Sequence, residues 1–146
     1  MTFNQEKKVG VLLEQTTRIA KLSFIKVFKK MGVKITPEQW AILEILYYEN
    51  GLSQTELGEK AFKNKPTISR IIDNTCEKKL TRRRPFAGDR RKFQITLTAK
   101  GKKLVEKCAP KINELRGLSW KGLSNNDYKQ FQRIISQLFG NFDSYK

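Results

Sequence analysis

The sequence predicts a mainly α-helical protein with one small antiparallel β-hairpin. Three observations carry this. Apolar residues recur at spacings of three and four over most of the 146 residues, the pattern of helices that bury one stripe. Helix-start signals recur between these stretches, at Thr36-Pro37-Glu38-Gln39, Ser53-Gln54-Thr55-Glu56 and Ser124 with Asp127. The period switches to two only at Phe93, Ile95 and Leu97, which alternate with Gln94 and Thr96 as in a half-buried strand.

In chain order, residues 5–30 read as a helix whose stripe runs Val9, Leu12, Leu13, Thr16, Ile19, Ala20, Ser23, Phe24, Val27 and Phe28. Gly32 follows, where a left-handed cap is expected. Thr36 caps a second helix, with Pro37 at its first position and Gln39 closing a capping box. This helix, Trp40 to Tyr48, is apolar nearly all round and is expected to be buried on most faces. Ser53 caps a short helix to about Ala61, with Leu57 and Ala61 inward. After a polar turn at 62–65, Pro66 opens another helix, capped by Asn64 or Lys65. Its inward residues are Ile68, Ile71, Ile72, Thr75 and Cys76; Thr67, Ser69, Arg70, Asp73 and Asn74 face outward. Leu80–Pro85 and the Phe93–Leu97 strand form a two-stranded hairpin joined by a loop at 86–91. Phe93 is assigned to the core. Thr98 caps a helix carrying Leu104, Val105, Cys108, Ile112 and Leu115, which Pro110 should kink or interrupt. The last helix has Tyr128, Phe131, Ile134, Ile135, Leu138, Phe139 and Phe142 as its apolar face.

Composition narrows the function. Lys and Arg number 30 against 14 Asp and Glu, a formal charge of +16. Residues 61–107 hold 15 of the basic residues and only 4 of the acidic ones. Arg82, Arg83, Arg84, Arg90, Arg91 and Lys92 fall within eleven residues, against Asp89 alone. A one-signed patch on a folded domain is the footprint of a polyanion binder, whereas ordinary surfaces mix signs. The absence of His excludes His-dependent nucleophilic sites and His-ligated metals. Two isolated cysteines, Cys76 and Cys108, offer neither metal spacing nor a disulfide framework. No cofactor, metal or enzymatic activity is expected. No stretch is apolar enough to span a membrane, and the N-terminus has no signal-like apolar core, so the expected location is the cytoplasm.

A short helix, a tight turn and a second helix form a helix-turn-helix, and a basic hairpin directly after it makes a winged helix. The outward face of residues 64–74 is small and polar, so its backbone can approach base edges in a major groove. The Arg-bearing hairpin tip suits a minor groove of ~6 Å width. Candidate DNA contacts are therefore Ser53, Lys63, Asn64, Lys65, Thr67, Ser69, Arg70 and Asn74 from the helices, with Arg84, Arg90, Arg91 and Lys92 from the wing. Each alone has a plainer reading: solvent-facing polar residues, an Arg70 pairing with Asp73 or Asn74, or arginines that protect a strand edge. Their coincidence within 40 residues favours DNA.

These stretches resemble the MarR-type (multiple antibiotic resistance regulator) transcriptional regulators. The matching segments are Thr36–Leu43, Ser53–Leu57, Pro66–Asp73, Asp89-Arg90-Arg91 and Leu97-Thr98-Ala99-Lys100-Gly101, in the family's order. The resemblance implies a homodimeric DNA-binding regulator of the repressor kind that sits on a pseudo-palindromic duplex operator. Recognition helix 65–79 would enter the major groove and wing 82–92 the minor groove. It implies a DNA-binding domain at 35–101 and a helical dimerisation region at 1–34 with 102–146. Asp89 would brace a neighbouring Arg. The chain departs from the family at Lys79, where Gly is usual, at Pro66, where Ser is common, and at Thr75, usually apolar.

A small lipophilic or aromatic effector is a further implication of the family, with no ligand site assigned. Trp40, Tyr47, Tyr48, Phe24 and Phe28 are candidates for lining a cleft, with core packing the plainer role for each. Lys21 and Arg18 are candidates to meet a carboxylate. The terminal stripes, from Val9 to Phe28 and from Tyr128 to Phe142, expose more apolar surface than one winged helix covers, which also points to a two-fold dimer. The competing reading is a basic architectural or RNA-binding protein without an effector.

Overall fold

The computed structural model describes residues 3–145, with side chains from residue 8 onward. Its elements run α1 (Phe3–Lys30), α2 (Pro37–Tyr48), β1 (Leu52–Ser53), α3 (Gln54–Lys60), α4 (Lys65–Glu77), β2 (Thr81–Phe86), β3 (Asp89–Leu97), α5 (Ala99–Ser119) and α6 (Asn125–Asp143). The chain divides into two compact units, residues 1–112 and 113–146. No helix among the described residues is long and apolar enough to cross a membrane.

The expected two-stranded hairpin is a three-stranded antiparallel sheet in the order β1-β3-β2. The added strand is two residues long, pairing Leu52 with Ile95 and Ser53 with Gln94. So short a strand leaves no period to read, which is why the sequence hides it. The hairpin turn is also tighter than expected. Phe86 pairs with Asp89, so only Ala87 and Gly88 turn, and Asp89, Arg90 and Arg91 belong to β3 and not to a loop.

Two clusters fill the first unit. Phe28, Ile35, Trp40, Leu43, Leu80, Val105, Cys108 and Ile112 form one; Ile42, Leu46, Leu57, Ile68, Ile71, Ile72 and Ile95 form the other. Helix α2 serves both, Trp40 and Leu43 toward the first and Ile42 and Leu46 toward the second. That explains its all-round apolar sequence. Its last turn is the exception: Tyr47 and Tyr48 are exposed. Phe93 likewise is not core but half exposed at 49%. It keeps the parity of buried Ile95, yet lies beyond the edge of the helices that cover Ile95.

Pro110 does not interrupt α5, which is one helix from Ala99 to Ser119. Cys108 and Ile112, on either side of it, are both fully buried, so packing holds the helix across the missing hydrogen bond. The start of α5 is fixed differently. Thr98 accepts from the Gly101 N–H at 3.0 Å and donates to the Lys79 carbonyl at 2.7 Å. A Cβ on Gly101 would stand 2.1 Å from the Leu80 carbonyl oxygen, so no larger residue fits. The end of α4 explains the Lys79 departure: Lys79 has φ +59, a left-handed cap that glycine takes without strain. Buried Thr75 is satisfied by the Ile72 carbonyl at 3.0 Å and the Thr81 hydroxyl at 2.7 Å.

In the second unit, Trp120 stacks edge-on with Tyr128 and Phe131. Helix α6 begins in a complete Ser124–Asp127 capping box and has no buried residue.

Candidate nucleic-acid interface

Ser53 turns the chain from β1 into α3. Its hydroxyl accepts from the Glu56 N–H at 3.1 Å, and the Glu56 carboxylate accepts from the Ser53 N–H at 2.7 Å. That backbone bond, with the Ser53 hydroxyl, holds the Glu56 carboxyl below the usual range. Helix α3 buries Leu57 completely and ends at a turn containing Phe62, which has φ +53 and is 82% exposed. Asn64, rather than Lys65, caps α4, accepting from the Thr67 N–H at 3.0 Å.

Helix α4 then divides by face. Ile68, Ile71, Ile72 and Thr75 are buried. Lys65, Arg70, Asp73 and Asn74 are exposed; Thr67 and Ser69 are half-buried. The sequence alternative of an Arg70–Asp73 pair is not realised. Asp73 instead pairs with Arg83 of β2, and among the described residues no hydrogen bond or ion pair engages the Arg70 side chain. Arg83 thereby ties strand to helix, while Arg82 and Arg84 are exposed.

At the wing, Pro85 pairs with Phe93 and Phe86 with Asp89. Arg90, Arg91 and Lys92 therefore have no residue opposite them and form an exposed three-residue bulge. Pro85, which lacks an N–H, stands at the edge of this irregularity. Asp89 accepts from the Arg91 backbone N–H at 2.9 Å. It grips the chain of its neighbour and not a guanidinium.

Two hollows flank the first turn of α3. The larger, about 510 Å³, is lined by Ser53, Gln54, Thr55, Glu56, Arg83, Phe86, Lys92, Phe93 and Ile95. The smaller, about 240 Å³, shares Gln54 and Thr55 and continues to Lys63 and Lys65. Sequence reading missed Gln54, Thr55, Phe86 and Phe93. Only the charge run beside Phe93 hinted that its face lies at the surface.

The residues considered for an effector cleft separate. Phe28 and Trp40 are core, with ring centroids 5.8 Å apart, and Phe24 meets Phe28 edge-on at 6.3 Å. Tyr47 and Tyr48 are surface residues, and the Tyr47 hydroxyl donates to Glu106 at 3.3 Å. Partial desolvation against its neighbours and the adjacent Glu106 charge push the Tyr47 phenol up. Lys21, a candidate for an effector's carboxylate, pairs within the chain with Glu38 at 3.5 Å. Burial pushes Glu38 up, but its own backbone hydrogen bond and Lys21 prevail and hold it low. Cys108 is fully buried, which raises its thiol. Cys76 is half-buried, its sulfur 3.3 Å from the Thr81 hydroxyl.

Residues 33–92 match the sequence model of the MarR family. The MepR protein of S. aureus in complex with DNA superposes with a TM-score of 0.82 at 25% identity, over 97% of this chain and 98% of that one. The PcaV transcriptional regulator of Streptomyces coelicolor, in complex with its natural ligand, gives 0.77 at 20% identity, covering 94% and 93%. NadR in complex with 4-hydroxyphenylacetate gives 0.71 at 20%, covering 94% and 99%. Over residues 33–92 the chain is similar in sequence to the MarR family, and over nearly its whole length its fold matches that of MepR in the DNA complex.

Proposed function

We infer that this protein is a dimeric, sequence-specific DNA-binding transcriptional regulator, acting as a repressor and not as an enzyme. The observation that carries the reading is the pairing of two surfaces in one folded unit: the outward polar face of α4, with Arg70 exposed on it, and the bulged Arg90-Arg91-Lys92 tip. Helix 65–79 enters the major groove, where Thr67, Ser69, Arg70 and Asn74 reach base edges and Ser53, Lys63, Asn64 and Lys65 meet phosphates. Wing 82–92 enters the minor groove with Arg84, Arg90, Arg91 and Lys92, where arginine senses groove width and potential. Asp89 braces the tip through the Arg91 N–H. Residues 35–101 form the reading domain, and 1–34 with 102–146 the dimerisation region.

The dimer is supported by what a single chain leaves uncovered. Val9, Leu12, Ile19, Leu22 and Ile25 of α1 are exposed, as are Tyr128, Phe131, Ile134, Phe139 and Phe142 of α6. A two-fold axis covers such faces and presents two recognition helices about one helical turn of DNA apart, ~10 bp. PcaV and NadR, as ligand complexes, support release by a small aromatic or lipophilic effector. A cytoplasmic site of action follows from the regulatory role.

The test is selection of bound duplexes from a random pool by wild type, Arg70→Ala and Arg91→Ala. Wild type should enrich a two-fold motif. Arg70→Ala should relax preference at one position per half-site and cost about 1–3 kcal/mol. Arg91→Ala should weaken all duplexes more evenly and lower the salt slope by about one per subunit. Enrichment of no duplex, or of structured RNA instead, would favour the architectural or RNA-binding reading.

A further inference from the structure

We propose that the trough beside α3 holds one sugar–phosphate strand of the bound duplex, with Phe93 and Phe86 packed against deoxyribose. The proposal rests on the DNA-binding reading and adds residues to it. The trough exists because β1 is so short. Its last pair is Ser53 with Gln94, after which the chain turns into α3 while β3 continues without a neighbour on that side. The notch this leaves is the 510 Å³ hollow.

The walls alternate in chemistry. Lys63 and Lys65 stand at one end, at the start of α4. Gln54 and Thr55 form the shared ridge. Lys92 stands in the bulge at the wing end, Phe86 and Phe93 supply apolar surface beside it, and Arg83, already paired with Asp73, lies opposite Ile95. Of the two acids along the trough, Glu56 is committed to the Ser53 N–H and Glu59 lies at the α4 end. Cations at both ends with an apolar stretch between match a nucleic-acid backbone, whose anionic phosphates are separated by sugars with apolar faces. Phe93 is otherwise unexplained: it is half exposed among charged neighbours, and Ile95 already fills the core position on that side of the strand. Bases are poor occupants, because stacking on them needs a single strand or a flipped nucleotide. The trough also joins the two proposed reading surfaces, lying between the α4 start and the wing, where a strand passing from major to minor groove must run.

The contact is apolar, and that makes it separable from the cationic ones. Apolar packing releases no counterions, so it changes affinity without changing salt dependence. The experiment uses the full-length chain and a fluorescein-labelled duplex of the sequence that wild type enriches, with anisotropy read from about 50 to 200 mM KCl. Phe93→Ala should bind roughly tenfold more weakly at every salt concentration, giving a log–log line parallel to wild type. Phe93→Leu should recover most of the loss. Lys92→Ala should lower the slope by about one per subunit. Selection by Phe93→Ala should return the wild-type motif, because a sugar contact carries no sequence information. Phe86→Ala, at the other wall, gives a second reading should Phe93→Ala unfold. Wild-type affinity in the folded phenylalanine variants, or a changed motif, would overturn the proposal while leaving the regulator reading intact. A wild-type protein that binds no duplex would defeat both.

Discussion

The middle of the chain and its terminal helices are built to opposite rules. Between residues 35 and 101, almost every large residue on an inward stripe is buried: Ile42, Leu43, Leu46, Leu57, Ile72 and Ile95 are each within 1% of full burial. In α6 the stripe is as regular, yet no residue is buried. Helix α1 shows the contrast within one element. Phe28 in its last turns is core, whereas Val9, Leu12 and Ile19 further back are exposed. A helical stripe therefore states that a face is to be covered, and not by what. The middle segment completes its core with its own α2, α4 and sheet. The terminal stripes are written for a second surface.

The largest way to break the middle region is at Gly101. Its missing Cβ lets α5 start against the Leu80 carbonyl, and an added methyl would lie 2.1 Å from that oxygen, on rigid backbone. Gly101→Ala should cost more than about 3 kcal/mol, through forced movement of a packed helix start. Thermal unfolding followed by circular dichroism checks it. A melting temperature within a few degrees of wild type would mean that α5 shifts freely, and that the middle region is less tightly fixed than its burial implies.

For the terminal region the corresponding break acts on assembly. Phe131→Asp places a charge on the α6 face; it removes the ring contact with Trp120 but no buried side chain. Wild type should sediment as a dimer of the 17.0 kDa chain. The variant should shift to monomer, its dissociation constant raised by roughly 100-fold or more, since an unpaired charge in an apolar interface costs several kcal/mol. Because the first unit holds its own core, the monomer should keep its Trp40 environment, read by near-ultraviolet circular dichroism. A wild-type monomer at micromolar concentration would remove the partner from the comparison altogether.

A smaller effect sharpens the account of the middle. Lys79 sits at φ +59, where a side chain is strained and glycine is not. Lys79→Gly should stabilise by about 0.5–1 kcal/mol, net of the extra freedom glycine gives the unfolded chain. Chemical denaturation with unchanged slope would show it.

Much of this was legible in the sequence because local signals and tertiary demands agreed. Thr36, Ser53 and Ser124 cap the helices they announce, each within a full capping box. Ile68, Ile71 and Ile72 face inward as their spacing requires. The misreadings share one cause, which is that periodicity carries no depth. Phe93 has the parity of a core residue but lies past the covered end of its strand. Tyr47 and Tyr48 continue an apolar run beyond the packed part of α2. Of the two outcomes expected at Pro110, a kink or an interruption, the continuous α5 excludes the interruption, with Cys108 and Ile112 buried on either side. The trough by α3 was invisible for a different reason. It is made by the meeting of a two-residue strand, a helix start and a wing separated by some 30 positions in the chain, and no local pattern encodes such a meeting.

The finest contrast between the two regions is acid sensitivity, because both carry the same cap. Glu56 closes the box of α3 and Asp127 that of α6; in each, the backbone hydrogen bond from the capping serine comes first among the causes that hold the carboxyl low. A depressed carboxyl contributes stability above its unfolded value, near pH 4, and loses it as pH falls through the folded value. Both caps should therefore weaken as the pH drops below about 4, and neither should change between pH 5 and 8. The consequences differ. Helix α3 is anchored by fully buried Leu57, so its amides should stay protected after Glu56 is protonated. Helix α6 has no buried anchor in a single chain, so its first turn should fray. Hydrogen exchange of Phe131→Asp at pH 3.5 and 6 reads this directly. The α6 amides should exchange several-fold faster at the lower pH relative to their intrinsic rates, and those of α3 only slightly so. In the wild-type dimer the α6 difference should shrink, because the partner supplies the missing anchor. Equal acid sensitivity of α6 in variant and wild type would show that the exposed stripe is not what the dimer covers.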